Sequence, residues 1–246
     1  MTHTQEIRSR ASEIKFVVDA GTGERIRAWA RGHLEPDPYG AGSFGDEYRT
    51  TSLYFDTTEG AVFHRHGSFG RAKYRIRRYG DSPMIFLERK LRRPGVLFKR
   101  RTLAPLDVLD HDRDTPEWRH WPGSWFDRRL AARRLEPVCQ VTYDRVARGT
   151  ITDQGLARLT LDEAIDAVAI TRLRFSATGG VPVLAGRLVL ELKFRSHAPV
   201  VFKRLINEFR LTPQAVSKYR LGQAALRGWA VLDTPAPNTC GPEACA

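Results

Sequence analysis

The feature that most constrains this chain is a charge pattern of period two, plainest in "AKYRIRRYG" at residues 72 to 80. Successive side chains of a strand point to opposite faces, so Lys73, Arg75 and Arg77 share one face and Tyr74 and Ile76 the other. Three cations in a row repel one another, and by itself the row reads as the wet face of a half-buried strand. The pattern recurs, however. Glu13 and Lys15 share a face, as do Glu88 and Lys90, Lys99 and Arg101, Tyr143 and Arg145, Arg158 with Thr160 and Asp162, and Glu191 and Lys193. Ile14 with Phe16, Leu159 with Leu161, and Leu190 with Leu192 and Phe194 make the opposite faces apolar.

These segments predict eight strands, at 13–18, 51–57, 72–79, 84–90, 96–102, 137–147, 157–165 and 186–194, each rich in β-branched or aromatic residues and bounded by turn formers. The short links make them mostly antiparallel. Helices are expected at 22–34, with Ile26, Trp29, Ala30 and His33 on one side, at 125–136, and at 198–210. A last helix is expected to open with Thr212 as cap and Pro213 as its first residue. Residues 104–123 read as a surface excursion and "GSFGRAK" at 67–73 as a turn, since it lacks the G-K-[ST] of a phosphate loop. The expected organisation is one domain over 1–231 and a disordered tail over 232–246.

Forty Lys and Arg against 28 Asp and Glu leave a net charge of +12, which points to an anionic partner. The N-terminal stretch has no apolar h-region, and no run approaches the about 18 apolar residues a spanning helix needs. The expectation is a soluble, cytoplasmic protein, with peripheral attachment at the inner face of the membrane through a separate membrane protein left open. Three cysteines form no disulfide framework: Cys139 reads as a small buried thiol, and Cys240 with Cys245 make a poor zinc signature. His64 and His66 with Asp56 are a weak metal candidate.

A charged face recurring on seven of the eight strands, with apolar helices free to cover the other side, favours an α+β protein in which an antiparallel eight-stranded β-barrel carries helices packed outside. About eight strands leave room for one small ligand. Buried cations without compensation cost several kcal/mol each, so such a lining requires a polyanion, and Arg and Lys suit phosphate oxygens. Residual carboxylates suit a divalent ion shared with phosphate.

The succession "SLYFDT", "KYRIRRYG", "FLERK", "FKRR", "YDRVA", "RLTLD", "LELKF" and "SKY" resembles the VTC domain, the polyphosphate polymerase branch of the triphosphate tunnel metalloenzymes, over about residues 6–222. The resemblance implies binding of ATP with Mn²⁺ or Mg²⁺ and transfer of its γ-phosphate to orthophosphate or a growing polyphosphate chain. It further implies catalytic roles for Lys73, Arg75, Arg77, Lys99, Arg145, Arg158 and Lys218. Substrate contacts fall to Lys15, Lys90, Arg101, Lys193, Ser217 and Tyr219, and metal binding to Glu191 and Glu88. Ahead of Glu13 the first strand lacks the fuller E-x-E-x-K of the hydrolase relatives. A tunnel-fold triphosphatase and a non-catalytic polyanion binder are the alternatives, nucleic acid is not an expected partner, and the oligomeric state is open.

Overall fold

The computed structural model describes residues 3–9, 12–93, 96–111 and 115–231. Cys240, Cys245 and the expected disordered tail lie outside the described residues. The strands are β1 (His3–Ser9), β2 (Ser12–Val18), β3 (Glu35–Pro36), β4 (Glu47–Asp56), β5 (Ala72–Tyr79), β6 (Met84–Arg93), β7 (Val96–Pro105), β8 (Glu136–Thr152), β9 (Gly155–Ala169), β10 (Val181–Pro182) and β11 (Leu188–Phe194). The helices are α1 (Ala20–His33), α2 (Pro116–His120), α3 (Ser124–Ala132), α4 (Val200–Glu208) and α5 (Lys218–Arg227). The protein is α+β with an antiparallel sheet, hydrogen-bonded in the order β1-β7-β6-β5-β4-β8-β9-β11-β2, with β3 on β8 and β10 on β9. All eight expected strands are present. The sequence reading omitted β1, whose "HTQEIRS" has little apolar alternation and which is held instead by backbone pairing to β7, from His3↔Leu103 to Ser9↔Leu97.

The chain forms two compact units: residues 1–9, 50–142 and 167–181, and residues 10–49, 143–166 and 182–246. In the first, β5, β6 and β7 pair in strict register, Arg75 facing Glu88 and Glu88 facing Arg101. The alternation expected for β5 holds: Ala72, Tyr74 and Ile76 are buried on one face. There the Tyr74 ring meets Phe126 of α3 edge-on at 5.9 Å, and Phe126 meets Phe55 at 5.5 Å. Gly80 ends β5 at φ +49°, a conformation that suits a residue without Cβ. Within the expected excursion at 104–123, α2 carries Trp118, which is buried with its indole N–H donating to Asp127 at 2.9 Å.

In the second unit β2, β9 and β11 pair, placing Glu191 opposite both Lys15 and Thr160. Their apolar faces, Phe16, Leu159, Leu161, Leu190 and Leu192, form one core with Ile26, Trp29 and Ala30 of α1 and Phe202 and Leu205 of α4. Asp19 caps α1, its carboxylate accepting from Thr22 N–H at 2.8 Å. The last helix departs from expectation. It starts at Lys218, with the Ser217 hydroxyl accepting from Arg220 N–H, and Thr212 and Pro213 lie before it in non-helical chain. That stretch is committed elsewhere, since Gln214 N–H donates to the Lys15 carbonyl at 2.8 Å. Gly228 closes α5 in the left-handed region at φ +67°, its N–H donating to the Ala224 carbonyl.

Cys139 is fully buried, as its apolar strand implies. Asp56 is a structural residue: its carboxylate accepts from the N–H groups of Thr57, Val62 and Phe63 at 2.7 to 2.9 Å. His64 stacks on His66 at 5.3 Å, and among the described residues no cluster of three His, Cys, Asp or Glu side chains stands ready for a metal. No helix among them is long and apolar enough to cross a membrane.

Candidate functional site: two cationic sheet faces

The first face lies on β5, β6 and β7. Pairing puts Lys73, Lys90 and Lys99 in one cross-strand row and Arg75, Glu88 and Arg101 in the next. Glu88, 1% exposed, is enclosed by cations. Arg75 Nε donates to its Oε2 at 2.6 Å, while Lys99 Nζ and Arg101 Nε stand 3.0 Å from Oε1. Burial alone would raise the Glu88 pKa, yet Arg75, Lys99, Arg77 and Arg101 hold it well below the ordinary carboxylate range. Lys99 moves down, because burial and the nearby Arg101 and Arg75 outweigh the attraction of Glu88. Arg77 is anchored from β4, its Nε donating to the buried Ser52 hydroxyl at 3.0 Å.

Six cations, Lys73, Arg75, Arg77, Lys90, Lys99 and Arg101, share this face with Glu88. The lysine row sets like charges directly opposite one another and concentrates positive potential there. Tyr79 belongs to the same face and was missed by the sequence reading. Arg101 Nη2 donates to its hydroxyl at 3.2 Å, and its pKa falls to about 7: burial would raise it, but Arg77 and Arg101 favour the phenolate. Arg101 also lies over the Phe86 ring at 3.4 Å, which fixes the guanidinium plane. A Tyr at the end of a K-x-R-x-R-x-Y alternation was a legible signal.

The second face lies on β2, β8, β9 and β11. Arg145 grips Asp162 with two prongs, Nε to Oδ1 at 2.5 Å and Nη2 to Oδ2 at 2.8 Å, both residues buried. Lys218, carried by the first turn of α5, reaches Asp162 at 2.5 Å and Glu191 at 3.0 Å. It lies 5.0 Å from the Tyr143 ring centroid, with the Arg145 guanidinium at 5.2 Å. Glu191 also meets Lys193 at 3.0 Å and Lys15 at 3.5 Å, and Glu13 meets the same two lysines at 2.9 Å (Lys15) and 3.6 Å (Lys193). Burial works against ionisation of Glu191, but Lys15, Lys193, Lys218 and Arg145 carry its pKa well below normal. Burial would lower the Lys15 pKa, yet Glu191 and Glu13 raise it above the ordinary lysine value. Arg158, at the same sheet level as Lys193, donates to Tyr48 Oη at 2.7 Å and pairs with Asp37 at 2.8 Å.

The sequence-derived set therefore divides by unit. Lys73, Arg75, Arg77, Glu88, Lys90, Lys99 and Arg101 converge on one face, and Lys15, Arg145, Arg158, Glu191, Lys193 and Lys218 on the other. Ser217 serves as the cap of α5, and Tyr219, 2% exposed, packs in the interior. Asp162, Glu13 and Ser52 were absent from the predicted set, Asp162 because a lone Asp in a strand gives no hint that a lysine 56 positions later in the chain will meet it.

A divalent ion needs hard oxygen donors with room for phosphate and water. Glu191 and Glu13 offer two carboxylates on neighbouring strands, linked through Lys15 and Lys193. Glu88 is flanked across the strands by arginines alone, Arg75 and Arg101. At either place an ion would displace cations: Arg75, Lys99 and Arg101 from Glu88, or Lys15, Lys193 and Lys218 from Glu191.

A crystal structure of a candidate adenylate cyclase from Bacillus halodurans superposes with a TM-score of 0.51 at 16% identity, covering 85% of this chain and 95% of that one. A candidate adenylyl cyclase from Hippeastrum, described as having a dominant triphosphatase activity, gives 0.48 at 14% identity, covering 86% and 94%. No curated protein matches the sequence. The VTC domain family matches residues 10–227, a span holding both cationic faces. The chain belongs to the VTC domain family.

Proposed function

We propose that this protein is a metal-dependent polyphosphate polymerase that transfers the γ-phosphate of ATP to orthophosphate or to the end of a polyphosphate chain. The observation that carries the reading is the convergence of six cations on the β5–β7 face, with Arg75, Arg77 and Arg101 held in place by Glu88, Ser52 and Phe86. A phosphate chain presents oxygens to several of them at once.

Phosphoryl transfer asks little covalent help of a protein; it asks for positioning and for stabilisation of charge on the equatorial oxygens. Arg75 and Arg77 offer planar guanidinium donors held by Glu88 and Ser52, and Lys73, Lys90 and Lys99 offer mobile point charges. The second face, taken by itself, offers Lys15, Lys193 and Lys218 as ammonium donors around Glu191, while Arg145 stays fixed by Asp162 and keeps the local potential positive. Glu191 with Glu13 would hold Mn²⁺ or Mg²⁺, which would supply neutralisation of phosphate charge. The acceptor is already ionised, so the chain needs no side chain to take up a proton from it.

The test is incubation of purified protein with ATP and Mn²⁺ or Mg²⁺, with long-chain polyphosphate, ADP and free phosphate measured separately. ADP with polymer is expected. Free phosphate alone would make the protein a triphosphatase, and unchanged nucleotide a polyanion binder; either result overturns the proposal.

A further inference from the structure

The reverse face of β6 and β7 carries a second group of arginines that the proposed reaction does not use. Arg89 and Arg100 are directly opposed across the β6–β7 pair, and Arg100 is opposed in turn by Glu6 of β1. Arg128 and Arg129, exposed on α3, raise the positive potential at Arg100. Glu6 is the one carboxylate acting on this group in the described structure, meeting Arg89 Nη2 at 3.3 Å and itself 54% exposed. Arg89 keeps only 12% of its side chain in contact with solvent, so water does not dissipate its charge. Its Nε and that of Arg100 are buried without an acceptor. The Arg100 pKa moves down, first through burial and then through Arg89, Arg129 and Arg128, against the pull of Glu6.

Two like charges in direct register are unfavourable, and half-burial increases the cost. The arrangement is nevertheless rigid. Trp125 donates its indole N–H to Thr102 Oγ1 at 2.8 Å, and Thr102 is tied to Thr4 at 2.7 Å. That fixed ring is a platform for Arg100 at 4.5 Å and Arg89 at 6.0 Å. Guanidinium groups held in place with donors unspent are the ordinary construction of a phosphate site.

We propose that Arg89, Arg100, Arg128 and Arg129 form a second anion site, on the opposite side of the strands from Lys73, Arg75 and Arg77, and that its ligand is a condensed inorganic phosphate chain. Four guanidinium groups on three elements, β6, β7 and α3, exceed what one orthophosphate can engage, and successive phosphates of a chain meet them in turn. A nucleobase has no place there, because Trp125 is buried and its ring is already covered by arginine. The site stands whether or not the protein turns over ATP.

Calorimetric titration with inorganic tripolyphosphate in metal-free buffer tests it on four proteins: wild type, Arg75→Gln/Arg77→Gln, Arg89→Gln/Arg100→Gln and Arg128→Gln/Arg129→Gln. Two classes of site are expected in the wild type. Each variant of the reverse face weakens one class at least tenfold and leaves the other within twofold, and Arg75→Gln/Arg77→Gln does the converse. Orthophosphate binds the reverse-face class at least tenfold more weakly than tripolyphosphate. Should Arg89→Gln/Arg100→Gln fail to fold by circular dichroism, the exposed pair on α3 decides alone. Wild-type affinity and stoichiometry in every folded reverse-face variant, loss of one and the same class in all variants, or equal affinity for orthophosphate would each overturn the inference.

Discussion

Replacing Glu88 by Gln keeps the shape of the side chain and removes the single negative charge from the centre of the β5–β7 face. Arg75, Lys99 and Arg101 approach its oxygens at 2.6, 3.0 and 3.0 Å. At an effective dielectric constant of about 20, each such pair is worth roughly 6 kcal/mol before desolvation and mutual repulsion of the cations are set against it. Removing one partner of a buried ion pair costs about 3–5 kcal/mol net, because the remaining charges stay buried. For a chain of this size that lowers the melting temperature by about 10 °C. Glu59→Gln, at an exposed position, is the control and should change little.

The loss should be selectively reversed by tripolyphosphate, which replaces the missing charge. It should also depend on pH with a definite sign. A carboxylate whose folded pKa is depressed stabilises the protein above its unfolded value near 4.5, and that stabilisation disappears as pH falls toward the folded pKa. Wild type and variant should therefore converge in acid and diverge at neutral pH. Thermal unfolding followed by circular dichroism at pH 3 and pH 7 measures both effects. Equal melting temperatures at pH 7, or a difference that does not shrink in acid, would refute the reading of Glu88 as the organising counter-ion.

Glu191→Gln should abolish metal-dependent turnover while circular dichroism shows an intact fold; near-normal turnover would remove its metal role. Arg75→Ala and Arg77→Ala should weaken triphosphate binding at least tenfold in calorimetry, whereas Arg78→Ala, whose guanidinium donates to the Ser82 and Asp81 carbonyls, should change it less than twofold. In a spectrophotometric titration, one tyrosine should ionise near pH 7 and be missing from Tyr79→Phe. Because that phenol's folded pKa is depressed, its contribution to stability should grow as pH rises from about 7 toward 10. Ser217→Ala removes the cap of α5 and should cost about 1 kcal/mol in chemical denaturation.

Alternation along β5, β6, β9 and β11 was legible in the sequence because a strand's period of two depends on backbone geometry alone, and the order of short motifs was enough to indicate the family. Partnership was not legible. Which cation meets which carboxylate depends on strand register and on segments far apart in the chain: Lys218 reaching Asp162, Lys15 meeting Glu191, and Glu6 set against Arg100. The start of α5 was misplaced for the same reason, since a strong local signal at Thr212 and Pro213 gave way to a long-range hydrogen bond with β2. Local pattern decides the face to which a side chain points, whereas the electrostatic environment of that face is the sum over neighbours brought together only by folding. Hence the sequence alone determined which charges line the strands, and the tertiary structure decided which neighbours each of them meets.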